Sequence, residues 1–142
     1  LIYALDTDHM SLLERGGAES DILRERLRSV APDDVANTII SYEEQTRGWL
    51  ARIAQVSDPV RQIILYTELK RQLQNYSRVA LIDFDDDAAQ EFLRLQKAKV
   101  RIGTMDLKIA AICLANNMTL LTRNQSDFGK VPHLSVEDWS RE

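Results

Sequence analysis

Cysteine is nearly missing from this 142-residue chain: Cys113 stands alone, so no internal disulfide can form. With only two histidines beside it, there is no Cys/His cluster that could hold structural zinc. Both absences fit a reducing interior, and a cytoplasmic location is expected. Three prolines and five glycines leave no linker, no low-complexity tract and no repeat of solenoid period. No apolar run approaches the roughly 18 residues of a membrane span, and Leu1 leads straight into a strand-like run rather than a signal-peptide start. What remains, 44% apolar and 28% charged, suits one globular domain over residues 1–142. A surplus of positive charge is also missing. The net charge of −4 would argue against a nucleic-acid partner, unless several acids share a pocket with divalent cations that reverse the local field.

The chain alternates short apolar runs with amphipathic ones. Ile2 to Leu5 is continuously apolar, as in a strand buried on both faces of a parallel sheet, and ends in Asp6-Thr7-Asp8. Helices are expected from about His9 to Gly16-Gly17 and from Ala18 to Ser29, then a strand from Val35 to Ile40. Ser41 opens a helix through Ile53. Asp58-Pro59 starts another whose stripe of Val60, Ile63, Ile64, Leu69 and Leu73 is core or interface. Val79 to Ile82 reads as a third strand, and Asp85-Asp86-Asp87 places favourable charge at the start of the next helix. From Met105 to Ala115 only Asp106 and Lys108 interrupt an apolar helix, which should be central and buried. Met118–Leu121, a turn over Asn124–Phe128 and an edge strand at Leu134–Val136 complete an α/β/α sandwich with a mostly parallel sheet.

Four acids fall where such a sheet carries its chemistry, beyond the carboxyl ends of the strands. Asp6 follows the first strand, Glu44 lies one helical turn past the second, and Asp127 follows the fourth through Thr122-Arg123-Asn124. Asp106 begins the buried helix after Ile102-Gly103-Thr104. Each also has a structural explanation. Ser41 and Glu44 match a capping box, Asp106 follows a Thr104 cap, Asp127 follows an Asn124 cap, and Asp8 suits the cap of the first helix. Convergence favours chemistry, because packed carboxylates repel, and so take up protons or bind metal. An all-oxygen set suits Mg²⁺ or Mn²⁺, which acidify water and stabilise a leaving oxygen at a phosphodiester.

At these residues the sequence resembles the PIN-domain ribonucleases, specifically the VapC-type toxins of bacterial toxin–antitoxin pairs. The stretches are Leu5-Asp6-Thr7-Asp8, Ser41 through Glu44 to Gly48, Ile102 to Ala111, Leu121 to Phe128, and the closing Val131 to Leu134 and Val136 to Trp139. The resemblance implies a PIN-like fold with Asp6, Glu44, Asp106 and Asp127 as a catalytic, metal-binding quartet for Mg²⁺ or Mn²⁺. Thr104 and Asn124 match polar positions beside the acids, and Thr7, Asp8 and Arg123 adjoin them as supporting or substrate-facing residues. It also implies endonucleolytic cleavage of RNA, a cognate antitoxin whose tail enters the active-site groove, and a homodimer. Glu43 and Glu44 point about 100° apart on a helix, and Glu44 is chosen for its distance to Gly48. Asp127, on a short turn, either touches metal or orients water.

Arg47, Lys108 and Arg123 are candidate phosphate contacts. Cys113 is expected in the core, His9 on a helix surface, and Trp49 and Trp139 in packing or an interface. Two other functions compete. One is a phosphatase of haloacid-dehalogenase type, suggested by Asp6-Thr7-Asp8 after a strand; the other is a PIN-like module that binds RNA or protein without cutting.

Overall fold

A computed structural model describes residues 2–142; the expectation placed on Leu1 lies outside them. Five strands form one sheet in the order β3-β2-β1-β4-β5, and every pairing is parallel rather than only most of them. They are β1 (Tyr3–Leu5), β2 (Val35–Thr38), β3 (Ala80–Ile82), β4 (Thr119–Leu121) and β5 (Val136–Glu137). Among the described residues seven α-helices and a short 3-10 turn at Pro32–Asp34 connect them: α1 (Thr7–Arg15), α2 (Ala18–Arg28), α3 (Ile39–Gln55), α4 (Pro59–Ser77), α5 (Asp86–Lys97), α6 (Thr104–Ala115) and α7 (Gln125–Phe128).

The inner strands β1 and β4 end in apolar residues covered on both faces, whereas β2 carries the buried Asn37 and Thr38 and the edge strand β3 is largely exposed. Successive side chains alternate between two cores: Ala4, Ala36 and Leu120 join α6, while Leu5 and Leu121 join Met10, Leu12, Leu23 and Trp139. Helix α6 supplies the centre of the first core, with Ile109, Ala110, Ala111, Ile112 and Cys113 fully buried. Burial pushes the Cys113 thiol up to about 12, the value of a core side chain and not of a nucleophile. Between α1 and α2, Gly16 and Gly17 take φ of 79° and 103°, a left-handed turn that a side chain would strain.

Several boundaries differ from the sequence reading, each for a local reason. Helix α1 starts at Thr7, because Asp6 Oδ1 accepts from Thr7 N at 2.8 Å and so caps the helix itself. Strand β2 ends at Thr38, whose side chain accepts from Ser41 N at 3.1 Å; the cap is Thr38, and the capping box from Ser41 to Glu44 does not form. Gly103 precedes α6 without a side-chain cap, leaving Thr104 as an exposed first helical residue. The edge strand lies at Val136–Glu137, where β4 offers its partners. Asp58 does cap α4 with Pro59 behind it, and Asp85 caps α5. On α4, Val60, Ile63, Ile64 and Leu73 are exposed, so that stripe is not core.

Candidate active site

The chain runs outward from β1 through β2 to β3, then crosses to β4 on the other side of β1. That reversal opens a crevice at the carboxyl ends of β1, β2 and β4. Asp6 leaves β1 there, α3 brings Glu44 from β2, and the loop after β4 brings Thr122 to Asp127. Helix α6 adds Asp106 from its first turn.

Asp6 is the most deeply placed of the four. Its Oδ2 accepts from the fully buried Thr122 hydroxyl at 2.7 Å, while Oδ1 caps Thr7. Burial pushes its pKa up to about 7; the Thr122 bond opposes this, and the charges of Asp106 and Glu44 add to it. Glu44 is half-buried, with Oε1 2.7 Å from the Thr7 hydroxyl, which lies 3.0 Å from Ser41 Oγ. Its pKa is raised by burial first, against the Thr7 bond, and then by Asp106 and Glu43. Asp106 is raised by burial and by Asp127. Asp127 lies on α7, capped by Asn124: Asn124 Oδ1 accepts from Asp127 N at 3.4 Å and Asn124 Nδ2 donates to Asp127 Oδ2 at 3.2 Å. Lys130 Nζ stands 3.6 Å from the other Asp127 oxygen.

The four acids therefore form one electrostatic unit in which each is coupled to another. They are not drawn into a cage: among the described residues, no three acidic, histidine or cysteine side chains close to metal-holding distance. Glu43 turns away to Arg47 at 2.6 Å, which leaves Glu44 as the acid of the pair that faces Asp6 and Asp106.

Residues 3–134 match the PIN domain. The chain belongs to the PIN-domain family. This PIN domain is similar to Ribonuclease VapC1 of Haemophilus influenzae (strain R2866), at 28% identity over 99% of this chain and all of the relative. Over 46% of the chain and 52% of the relative it is 33% identical to Ribonuclease VapC2 of Rickettsia felis. Among solved structures it superimposes on a chain of VapBC-1 from nontypeable Haemophilus influenzae with a TM-score of 0.77, at 25% identity over 99% of this chain and all of the other. A chain of FitAcB from Neisseria gonorrhoeae shares the fold at a TM-score of 0.72 and 20% identity, over 99% and all of the respective chains.

Other residues of the PIN domain depart from the sequence reading. Asp8 does not cap α1; its carboxylate takes the Arg123 side chain, with Nη2 at 2.7 Å and Nε at 3.1 Å, and the Arg123 main-chain N at 3.0 Å. Arg123 Nη1 reaches Glu19 at 3.0 Å, so the arginine expected at phosphate is engaged within the protein. Burial would raise the Asp8 pKa, but hydrogen bonds from His9 and Arg123 outweigh it and hold the carboxyl well below the usual range. His9 is fully buried, not on a helix surface: Nδ1 lies 3.4 Å from Asp8 and Nε2 accepts from Trp139 N at 3.3 Å. Lys108 stands over the Phe84 ring, 5.9 Å from its centroid. Thr104 makes no side-chain hydrogen bond among the described residues. Thr122 was not singled out by the sequence reading, although a hydroxyl at the carboxyl end of a buried strand beside an acid is the signal that would have found it.

Proposed function

We propose that this chain is a divalent-metal-dependent endoribonuclease, the toxin of a VapBC-type toxin–antitoxin pair, with Mg²⁺ or Mn²⁺ as cofactor. One observation carries the reading: Asp6, Glu44 and Asp106 have raised pKa values at the crevice where the sheet reverses, each partly because another acid of the quartet is near. The residues fit such a cation. Every donor is a carboxylate oxygen, and Asp6 at about 7 is a group whose charge lacks a counterion. An open set suits Mg²⁺, which keeps several waters and takes one or two carboxylates rather than a closed protein cage. Asp6, Asp106, Glu44 and Asp127 would hold it, directly or through the waters it keeps. Bound there, the cation supplies Lewis acidity toward a phosphodiester and makes water more acidic.

The chain's own groups do the rest. Thr122 fixes Asp6 through its hydroxyl, Thr7 fixes Glu44, and Asn124 fixes the turn that presents Asp127. Hydrolysis joins a water oxygen to phosphorus and breaks one phosphorus–ester bond, and the departing ester oxygen takes up a proton from solvent. The raised Glu44 carboxyl is suited to receive the proton that water releases.

An antitoxin partner is supported by a groove of about 1000 Å³ between α2 and α4 that none of the four acids lines. Leu13, Leu27, Val30 and Val79 make it largely apolar, and its charged walls mix Arg24, Arg28, Arg71 and Arg78 with Glu14, Asp33 and Glu68, which suits an apolar segment. A homodimer, implied by the family, is supported by the exposed Val60, Ile63, Ile64 and Leu73. The phosphatase reading loses ground because the further serine or threonine and lysine motifs that such an enzyme needs at strand ends have no match in this chain. The non-catalytic reading, in which the acids serve only as caps, suits Asp6, which caps α1, but not Glu44, whose helix is capped by Thr38.

The test is cleavage of mixed-sequence RNA by the purified chain with Mg²⁺ or Mn²⁺ and with EDTA. Asp6→Asn and Asp106→Asn should each abolish metal-dependent cutting while circular dichroism stays native. Undiminished cutting by both variants refutes the proposal.

A further inference from the structure

We infer that Asp8 and Arg123 form a positioning clamp that aims the loop leaving β4 at Asp6, and that Arg123 does not bind the phosphate of a substrate. Only the catalytic arm of its test rests on the nuclease reading. Every nitrogen of the Arg123 guanidinium has an acidic partner: Nε and Nη2 form a fork on Asp8, and Nη1 meets Glu19 of α2. Such a planar, charge-assisted fork fixes geometry as well as supplying energy. Asp8 is gripped from its other flank by His9. Because Nε2 of that ring accepts from Trp139 N, its proton is on Nδ1, facing Asp8. The closing segment of the chain therefore braces the clamp.

What the clamp controls follows from the main chain. Asp8 Oδ2 also takes the Arg123 amide at 3.0 Å, so it holds the peptide that joins Thr122 to Arg123. Thr122, before that peptide, gives its hydroxyl to Asp6 at 2.7 Å, and Asn124, the residue following Arg123, donates its amide to the same hydroxyl at 3.0 Å. Asn124 in turn caps the turn that carries Asp127. One ion pair thus sets both the hydrogen bond on Asp6 and the placement of Asp127. Outer partners that orient site carboxylates act in this way without touching substrate.

The first arm is amide hydrogen exchange on the full chain, which needs neither metal nor RNA. Asp8→Ala and Arg123→Gln should each speed exchange at Asn124 by about tenfold, the loss of one charge-assisted hydrogen bond. Amides within α6 should keep their protection. Asp8→Asn, which retains an acceptor oxygen, serves if Asp8→Ala fails to fold. Unchanged exchange at Asn124 in the variants overturns the clamp.

The second arm is cleavage of a mixed-sequence RNA oligonucleotide with Mg²⁺. The clamp predicts a kcat lower by about tenfold at unchanged KM for each variant, with the double variant no worse than the worse single one. Arg123→Lys, keeping the charge but losing the fork, should behave like Arg123→Gln. A phosphate contact predicts instead that Arg123→Gln raises KM at constant kcat and lowers the salt slope by about one, that Lys restores binding, and that Asp8→Ala does neither. That result overturns the inference. If the native chain cuts no RNA with any divalent metal, the nuclease reading falls and amide exchange alone decides the clamp.

Discussion

Asp6 and Asp8 stand two residues apart at the start of one helix, both at least half-buried, and the fold drives them in opposite directions. Burial pushes Asp6 up to about 7, with like charges from Asp106 and Glu44 adding to it. Asp8 is less deeply buried, and hydrogen bonds from His9 and Arg123 outweigh its burial and hold it well below the usual range. Both depth and counter-charge separate them, and counter-charge sets the sign: Asp8 has Arg123, whereas Asp6 has only the charges of other acids beside it. A carboxylate given an arginine becomes structural, whereas one left among other carboxylates keeps an unmet demand for a proton or a cation.

The largest effect should come from that demand. Asp6 titrates near 3.8 when unfolded and at about 7 when folded. Between those values the native state holds a proton that the unfolded state has lost. The stability contributed by protonated Asp6 is complete below a pH of about 4 and drains away as pH rises through about 7. Glu44 and Asp106 are raised too and act in the same sense. In EDTA, thermal unfolding should therefore show the native chain less stable at pH 8 than at pH 5.5, by a few kcal/mol. Asp6→Asn should remove most of this slope and be more stable than the native chain at pH 8. A flat native profile would break the comparison.

Asp8 should behave in the opposite way. Its lowered pKa means that its stabilisation is complete above the ordinary aspartate range and is lost only as pH falls. Asp8→Ala should then cost about 2–3 kcal/mol at both pH 5.5 and pH 8, because Arg123 and His9 lose their shared acceptor. Urea unfolding measures it. A stabilising Asp8→Ala, resembling Asp6→Asn, would show that the two sites do not differ in kind.

Thr122 tests the boundary between the two sites, since its hydroxyl serves Asp6 and receives the Asn124 amide beside the clamp. Thr122→Val should cost about 1–2 kcal/mol. By removing a bond that lowers the Asp6 pKa, it should also move that carboxyl upward from about 7, as followed by carboxyl carbon resonances. No movement would mean that Thr122 is ordinary core.

This division was only partly legible in the sequence. The layered fold was legible because continuous apolar runs such as Ile2 to Leu5, and the apolar stretch from Met105 to Ala115, mark buried elements, even though Ile2 itself is exposed. The positions of Asp6, Glu44, Asp106 and Asp127 were legible for the same reason, since strand ends fix where the crevice lies. Partners were not. Nothing local told that Arg123 would meet Asp8, 115 positions earlier, or that His9 would be sealed beneath Trp139. The Ser41 box failed because Thr38, a better-placed hydroxyl, took the cap one turn earlier and left Glu44 free for Thr7. Caps depend on where a strand lets go, which is set by pairing across the sheet rather than by nearby residues.

Glu43 and Glu44 repeat the contrast at lower stakes, on adjacent positions of α3. Glu44 faces Thr7 and the other acids, whereas Glu43 pairs with an exposed Arg47 one turn on. An exposed pair of this spacing is worth only about 0.3–0.5 kcal/mol, so Glu43→Gln should change stability by no more than that. Its one influence on the crevice is electrostatic. The Glu43 charge is among the causes that raise Glu44, so its removal should lower the Glu44 pKa slightly and leave RNA cleavage near neutral pH within about twofold. Glu44→Gln in the same assay should remove most activity. If Glu43→Gln were instead the damaging change, the assignment of the second acid would pass to Glu43. Glu44 would then join Asp8 as a residue that holds the site without belonging to it.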